Sequence, residues 1–334
     1  MTTEPDNVPR WDPARRGGYE VWYLTWNHAA TGQGFWLRYL TEAPLAGPAR
    51  GELWFARFDP RHPERTFGIH RHFEPARSAP LPFELALGDA ELGHDRARGT
   101  LSGGGHDVRW DLHWTPAKHA LRLLPDVMYG GGGRGDTTVL SPNPRVAMTG
   151  SLVIDGETLH FEHAVLGQSH VWGRKHAFAW TWGRCAEFDG APDAVLEILG
   201  VRLQRRGVTL PTLAMVTLDL DGERHRLNQF RHVALARASW RTGHVAFSAQ
   251  SAALKIEGEL SCRVHELVAA PYVDPDGTAL YCTNTEIGDA QVRVSRRAGL
   301  GWAPARTLDA AGRAHFETGG RSRDPAVVHD HVLV

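Results

Sequence analysis

The segment GQSHVWGRKHAFAWTWGRCAE, Gly167 to Glu187, sets Gln168, Ser169, His170 and His176 beside Trp172, Trp180 and Trp182 near the middle of a 334-residue chain. Imidazoles move protons near neutral pH, and indoles wall apolar cavities that hold a few polar groups at the mouth. The segment therefore reads as part of a ligand pocket. His170 is the first choice for a polar catalytic or binding residue, with Gln168 beside it as an orienting donor. The same histidine could instead brace a junction by bonding to backbone. Trp180 and Trp182 alternate on an expected strand and share one face, which is either cavity wall or core.

Other polar sets stand in strand-like surroundings. Asn284 and Glu286 share a face in YCTNTEIGDAQVRV, where an amide beside a buried carboxyl would make a proton donor or ligand anchor; a salt bridge to an arginine is the plainer alternative. Asn228, Gln229 and His232 in LNQFRH form a third set, which could simply line a loop. His70 and His72 in GIHRH point the same way from a strand, a spacing that can chelate a transition metal. With 19 histidines in the chain such a pair arises readily by chance, and no metal site is expected. The run YGGGGRGD, Tyr129 to Asp136, lacks the Lys-Ser/Thr of a phosphate cradle and is expected to be a flexible loop over a barrel mouth. No GxSxG elbow is present, which argues against an α/β-hydrolase.

The elements that would position these residues are strands. Tyr19 to Trp26, Gly34 to Thr41, Gly51 to Phe58 and Thr66 to Phe73 are short aromatic and β-branched runs parted by Gly, Pro and Asp clusters. The texture resumes at His106 to Thr115 and continues to Arg297. Asp155-Gly156 reads as a hairpin turn that needs φ above zero, and Asp221-Gly222 and Asp276-Gly277 as two further turns. No stretch of 12 or more residues holds a helical period. The expected fold class is all-β, two antiparallel barrels packed side by side with few short helices, and small barrels of this kind would also provide the cavity. The expected layout is a polar segment over residues 1–17, a barrel over 18–168 and a second over 169–334. The last 25 or so residues read as a strand or loose tail.

Composition removes several partners. A net charge of -1 and a pI near 7.0 offer no basic field for nucleic acid. No apolar run is long enough for a membrane span, so no stable membrane insertion is expected. Three scattered cysteines and a polar amino terminus point to a reduced, cytoplasmic setting. The cationic residues are nearly all arginine, which reflects genome composition or suits carboxylate recognition.

YEVWYLTW near the start, a central HxWG and a following WxW strand together resemble the lipocalin-like (calycin) superfamily of tocopherol cyclase, carotenoid hydratase (hydroxyneurosporene synthase) and AttH-like proteins. The residues that carry the resemblance are Trp22, Tyr23, Gly150, Gly156, His170, Trp172, Gly173, Trp180 and Trp182. It implies paired β-barrels, a hydrophobic small-molecule ligand touched by residues such as Tyr23 and Trp172, and no organic cofactor. It also implies proton delivery to an alkene or water addition to a cation. Many members read DHxWG where this chain has Ser169-His170, so the acidic neighbour of the histidine is missing from the motif. Two functions follow as expectations: hydration or cyclisation of an isoprenoid- or polyketide-like molecule, or carriage of such a ligand without chemistry. An acid on an apolar cavity separates them.

Overall fold

The computed structural model describes residues 3–10, 12, 15–129 and 135–334, and the fold is all-β, as the patterning predicts. Gly130–Arg134, most of the Gly-rich loop expected over a barrel mouth, lie outside the described residues. The helices are short: Glu4–Asn7, Phe230–Val233 and three 3-10 turns.

Two curved sheets divide the chain. In the N-terminal sheet, strand Gly18–His28 pairs with Gln33–Ala43 on one side and with Glu157–Gly173 on the other. Arg50–Phe58 and Phe67–Phe73 extend one flank. Thr137–Ile154, His106–Trp114 and four shorter strands extend the other. The C-terminal sheet repeats this plan: Ala179–Cys185 lies between Val195–Arg202 and Gly301–Gly320, and the latter forms a long hairpin with Ala279–Ala298. Strand Glu157–Gly173 pairs with the first sheet along its whole length, so the expected boundary at 168/169 falls inside it. The changeover occurs between Gly173 and Ala179. His329–Leu333, in the expected tail, is a strand that runs parallel to both Val268–Val273 and Phe67–Phe73 and joins the two sheets.

Each sheet wraps around its own filled core. Trp22, Trp26, Phe35, Tyr39, Phe55, Trp110 and their neighbours pack the inner face of the first. A mainly aliphatic set, including Leu196, Val216, Ile256, Val292 and Phe316, packs that of the second. Burial shows which strands face the other sheet. His106–Trp114 alternates exposed and buried, as a half-solvated strand must, whereas Gln33–Ala43 is buried at every position because its second face meets the partner sheet. Close contact depends on Gly34, where a Cβ would stand 2.4 Å from the Glu286 carbonyl oxygen.

The filled interiors correct one expectation. The cavity does not lie inside a barrel, because Trp22, Trp26, Phe35 and Trp110 fill the first interior and Leu196, Val216, Ile256 and Phe316 the second.

Candidate functional site

The cavity lies between the sheets. It measures about 1020 Å³ and is bounded by outward faces of both. Period two decides what reaches it: Trp22, Leu24 and Trp26 turn into the first core, so Tyr19, Val21 and Tyr23 turn outward. A row of paired residues, Ser169, Tyr23, Arg38, Trp54 and His70, crosses five strands of the first sheet on that outer face. Opposite it, Met215, Leu199, Trp182, Glu317 and Asn284 form a row on the second sheet. Tyr23 and Trp182 meet edge to face at 5.4 Å.

The polar chemistry of the lining centres on His176, in the connection between the sheets. Its backbone N–H and Nδ1 lie 3.0 and 2.6 Å from Asp274 Oδ1. Its ring stacks on Tyr19 at 4.7 Å and on Trp180 at 5.2 Å. The connection is pinned on either side, since Thr137 Oγ1 donates to the Lys175 carbonyl at 2.6 Å and Lys175 Nζ reaches Asp276 Oδ2 at 2.7 Å. Among the described residues His176 Nε2 has no protein partner. Trp180 Nε1 donates to Glu317 Oε1 at 2.7 Å, which puts a carboxyl group on the lining beside the indole; the ring lies flat because Gly319 opposite has no Cβ, which would stand 2.1 Å from it. Burial pushes the phenols of Tyr19, Tyr23 and Tyr272 upward, keeping them neutral O–H groups. Arg38 also faces the cavity, 4.4 Å from the Tyr272 ring and 5.3 Å from that of Trp54.

The structure brings some of the sequence-derived candidates here and leaves others elsewhere. Tyr23, Trp180 and Trp182 line the cavity. His170 and Gln168 do not, because they project from the opposite face of Glu157–Gly173. His170 is fully buried and stacked on Trp22 at 4.6 Å, with Nδ1 2.7 Å from the Asp6 carbonyl and Nε2 2.7 Å from Glu20 Oε1. The carboxylate missing from its own motif thus comes from the neighbouring strand. Gln168 accepts from Asn143 Nδ2 at 2.5 Å, and Trp172 lies under Arg10 at 5.5 Å. The group is a brace that holds Glu4–Asn7 against the sheet.

Glu286 is buried as expected but sits in the seam between the sheets, with Oε2 3.3 Å from His315 Nδ1 and its carbonyl accepting from Asn27 Nδ2 at 2.7 Å. Burial, then the charge of Glu317, holds its carboxyl well above the usual range. It is not among the residues that line the cavity. Asn284 adjoins Glu317 in the second sheet's row and is buried just beyond the lining. His70 stacks on Trp54 at 3.9 Å, while His72 is exposed beside Glu52 at 3.2 Å. No group of metal-ligating side chains exists among the described residues. Asn228 donates to the Arg122 carbonyl at 2.8 Å and braces a loop; His232 lies against Arg231 at 3.1 Å, behind the lining residues Phe230 and Val233.

The residues that sequence reasoning did not assign to the site are His176, Asp274, Glu317 and Arg38. Only His176 carried a local signal, its place in the Trp-rich segment. Asp274 and Glu317 are 98 and 137 residues from the partners that give them meaning.

Comparison with known proteins agrees with this architecture. A family model described as tocopherol cyclase-like matches residues 139–320. An uncharacterized protein of Mycobacterium tuberculosis is 27% identical over 296 residues, covering 87% of this chain and 85% of its own. A putative AttH from Nitrosomonas europaea shares the fold with TM-score 0.54 and 16% identity, over 93% of this chain and 95% of that one. Kievitone hydratase from Nectria haematococca does so with TM-score 0.55 and 12% identity, over 96% of each chain. No helix among the described residues is long and apolar enough to cross a membrane.

Proposed function

The chain belongs to the tocopherol cyclase-like family, and on that footing we propose that the inter-sheet cavity binds an apolar, alkene-bearing small molecule and hydrates or cyclises it without an organic cofactor. One observation carries the reading: an aromatic-walled cavity of about 1020 Å³ has both a carboxylate-held imidazole, His176, and a carboxyl group, Glu317, on its lining. The solved hydratase of like fold supports the same chemical class.

Asp274 accepts the Nδ1–H of His176 and fixes the ring, which leaves Nε2 to exchange a proton with the bound molecule. Protonated His176 gives that proton to the alkene. The carbocation forms among Tyr23, Trp180 and Trp182, where a desolvated aromatic face is worth about 2 kcal/mol, more than tenfold in rate if felt only in the transition state. Water, or a hydroxyl of the same molecule, then adds to the cation. It returns its proton to Nε2, so the enzyme ends as it began, while Glu317 orients the attacking O–H. Tyr19 stacked on His176 shields the imidazole from bulk water.

The test is incubation with prenylated phenols and terpenoid alkenes, read by mass spectrometry. Hydration adds one water and cyclisation leaves mass unchanged with a new retention time. Either product should vanish in His176→Gln. Binding without conversion in the wild type would leave a carrier, and failure of every apolar probe to bind would sink the reading.

A further inference from the structure

Arg38 is 3% exposed, yet it makes no hydrogen bond and no ion pair within 4.0 Å among the described residues, and its Nη1 is buried without a partner. It lies over the rings of Trp36, Trp54 and Tyr272, at 5.9, 5.3 and 4.4 Å. Ring faces soften the burial of a cation but leave most of the five guanidinium donors unsatisfied. A buried charge in that state is costly unless something pairs with it. Glu42, which feels the charge of Arg38, pairs with Arg50, and Asp274 holds His176.

The lining repeats the signal. The lining carries Arg38, Arg174, Lys175, Arg205 and Arg321 against Asp136 and Glu317, with Lys175 already paired to Asp276. Arg174 stands 3.7 Å from Asp136, and Glu317 is bonded by Trp180. Arg321, above the Phe178 ring at 5.8 Å, has a buried Nη1 with no hydrogen-bond partner among the described residues. A neutral oily ligand would use none of these donors.

We infer that the ligand is an amphiphilic acid, an apolar body whose carboxylate docks on Arg38. The inference rests on the cavity reading above and narrows its substrate class. The planar fork of the guanidinium matches a carboxylate through two parallel N–H···O bonds, and Tyr23, next in the cross-strand row, offers a neutral O–H beside it. The carboxylate would fix which end of the molecule meets His176. The cationic rim would raise the local concentration of an anion and speed its entry.

The test is calorimetric titration of the whole protein with dodecanoate and with dodecanol, which share a chain length and differ in charge. Wild-type protein should bind dodecanoate at least tenfold more tightly than dodecanol. Arg38→Met should lose that preference while keeping its affinity for dodecanol, and Arg38→Lys should retain part of it. Thermal melting of each variant checks folding, and the wild-type pair of titrations stands even if Arg38→Met does not fold. Equal affinity of the two probes in the wild type overturns the inference and leaves the cavity reading intact. A preference for dodecanoate that survives in Arg38→Met also overturns it, since the anion would then sit elsewhere. If neither probe binds, both readings fall together.

Discussion

His170 and His176 lie six residues apart, and each is held by a carboxylate, Glu20 at 2.7 Å and Asp274 at 2.6 Å. Their surroundings differ. His170 is sealed, with both nitrogens bonded and an indole stacked on its face. His176 has one nitrogen bonded and a side chain 18% exposed, and it stands on the cavity. A histidine–carboxylate pair is therefore not itself a site, because buried braces use the same pair. What separates them is a free ring nitrogen with access to a ligand. The central motif draws the eye to His170 because tryptophans flank it, but those tryptophans belong to different faces: Trp172 shares the brace, whereas Trp180 and Trp182 belong to the other sheet and the cavity.

The contrast can be broken by experiment. The largest expected effect is on turnover: His176→Gln should lower kcat by about 10²–10⁴-fold, the usual scale for losing a general acid–base group, with little change in melting temperature. His170→Ala should do the reverse. Removing it takes one partner from Glu20, which keeps the Arg10 N–H, and should cost about 1–3 kcal/mol, read by urea denaturation, with activity kept in the protein that remains folded. If His170→Ala abolishes turnover at full stability, the roles are exchanged. Trp182→Ala should weaken apolar-probe binding at least tenfold, read by titration beside a thermal melt, because the indole lines the cavity.

The seam between the sheets gives a pH-dependent comparison. Glu197, held by Ser141 Oγ at 2.8 Å, is pushed up to about 7 by burial. Its folded value lies above the unfolded one, so its contribution is fully present below about pH 4.5 and is lost as pH rises through about 7. Melting temperature should fall across that window, and Glu197→Gln should flatten the fall. A profile unchanged by the substitution would show that Glu197 is not its source. The smallest effect is expected at His72, on the exposed rim of the first sheet, where replacement by alanine should change stability by no more than about 0.5 kcal/mol, measured by the same denaturation.

Much of the strand framework is legible because period two is local. Tyr19 to Trp26 is observed as Gly18–His28, and the turn at Asp155-Gly156 has φ of 52° and 84°, as a two-residue hairpin turn requires. The strands between Arg77 and Gly103 escape notice because they are short and broken by Gly and Pro. Gly301–Gly320 escapes because most of its first half is exposed and so lacks apolar alternation. The site was less legible. Tyr23, Trp180 and Trp182 could be picked out by type and motif, but which of their faces meets a cavity depends on how two sheets dock.

The sequence by itself determined the all-β class, the hairpins and the aromatic supply, since strand alternation and turn chemistry act over a few residues. Only the tertiary structure decided that both sheet interiors are filled, that the cavity lies between them, and that His176, Asp274, Glu317 and Arg38 converge there. The reason is range: a side chain's proton chemistry is set by what stands within a few ångströms, and here those neighbours come from strands and connections far apart in the chain.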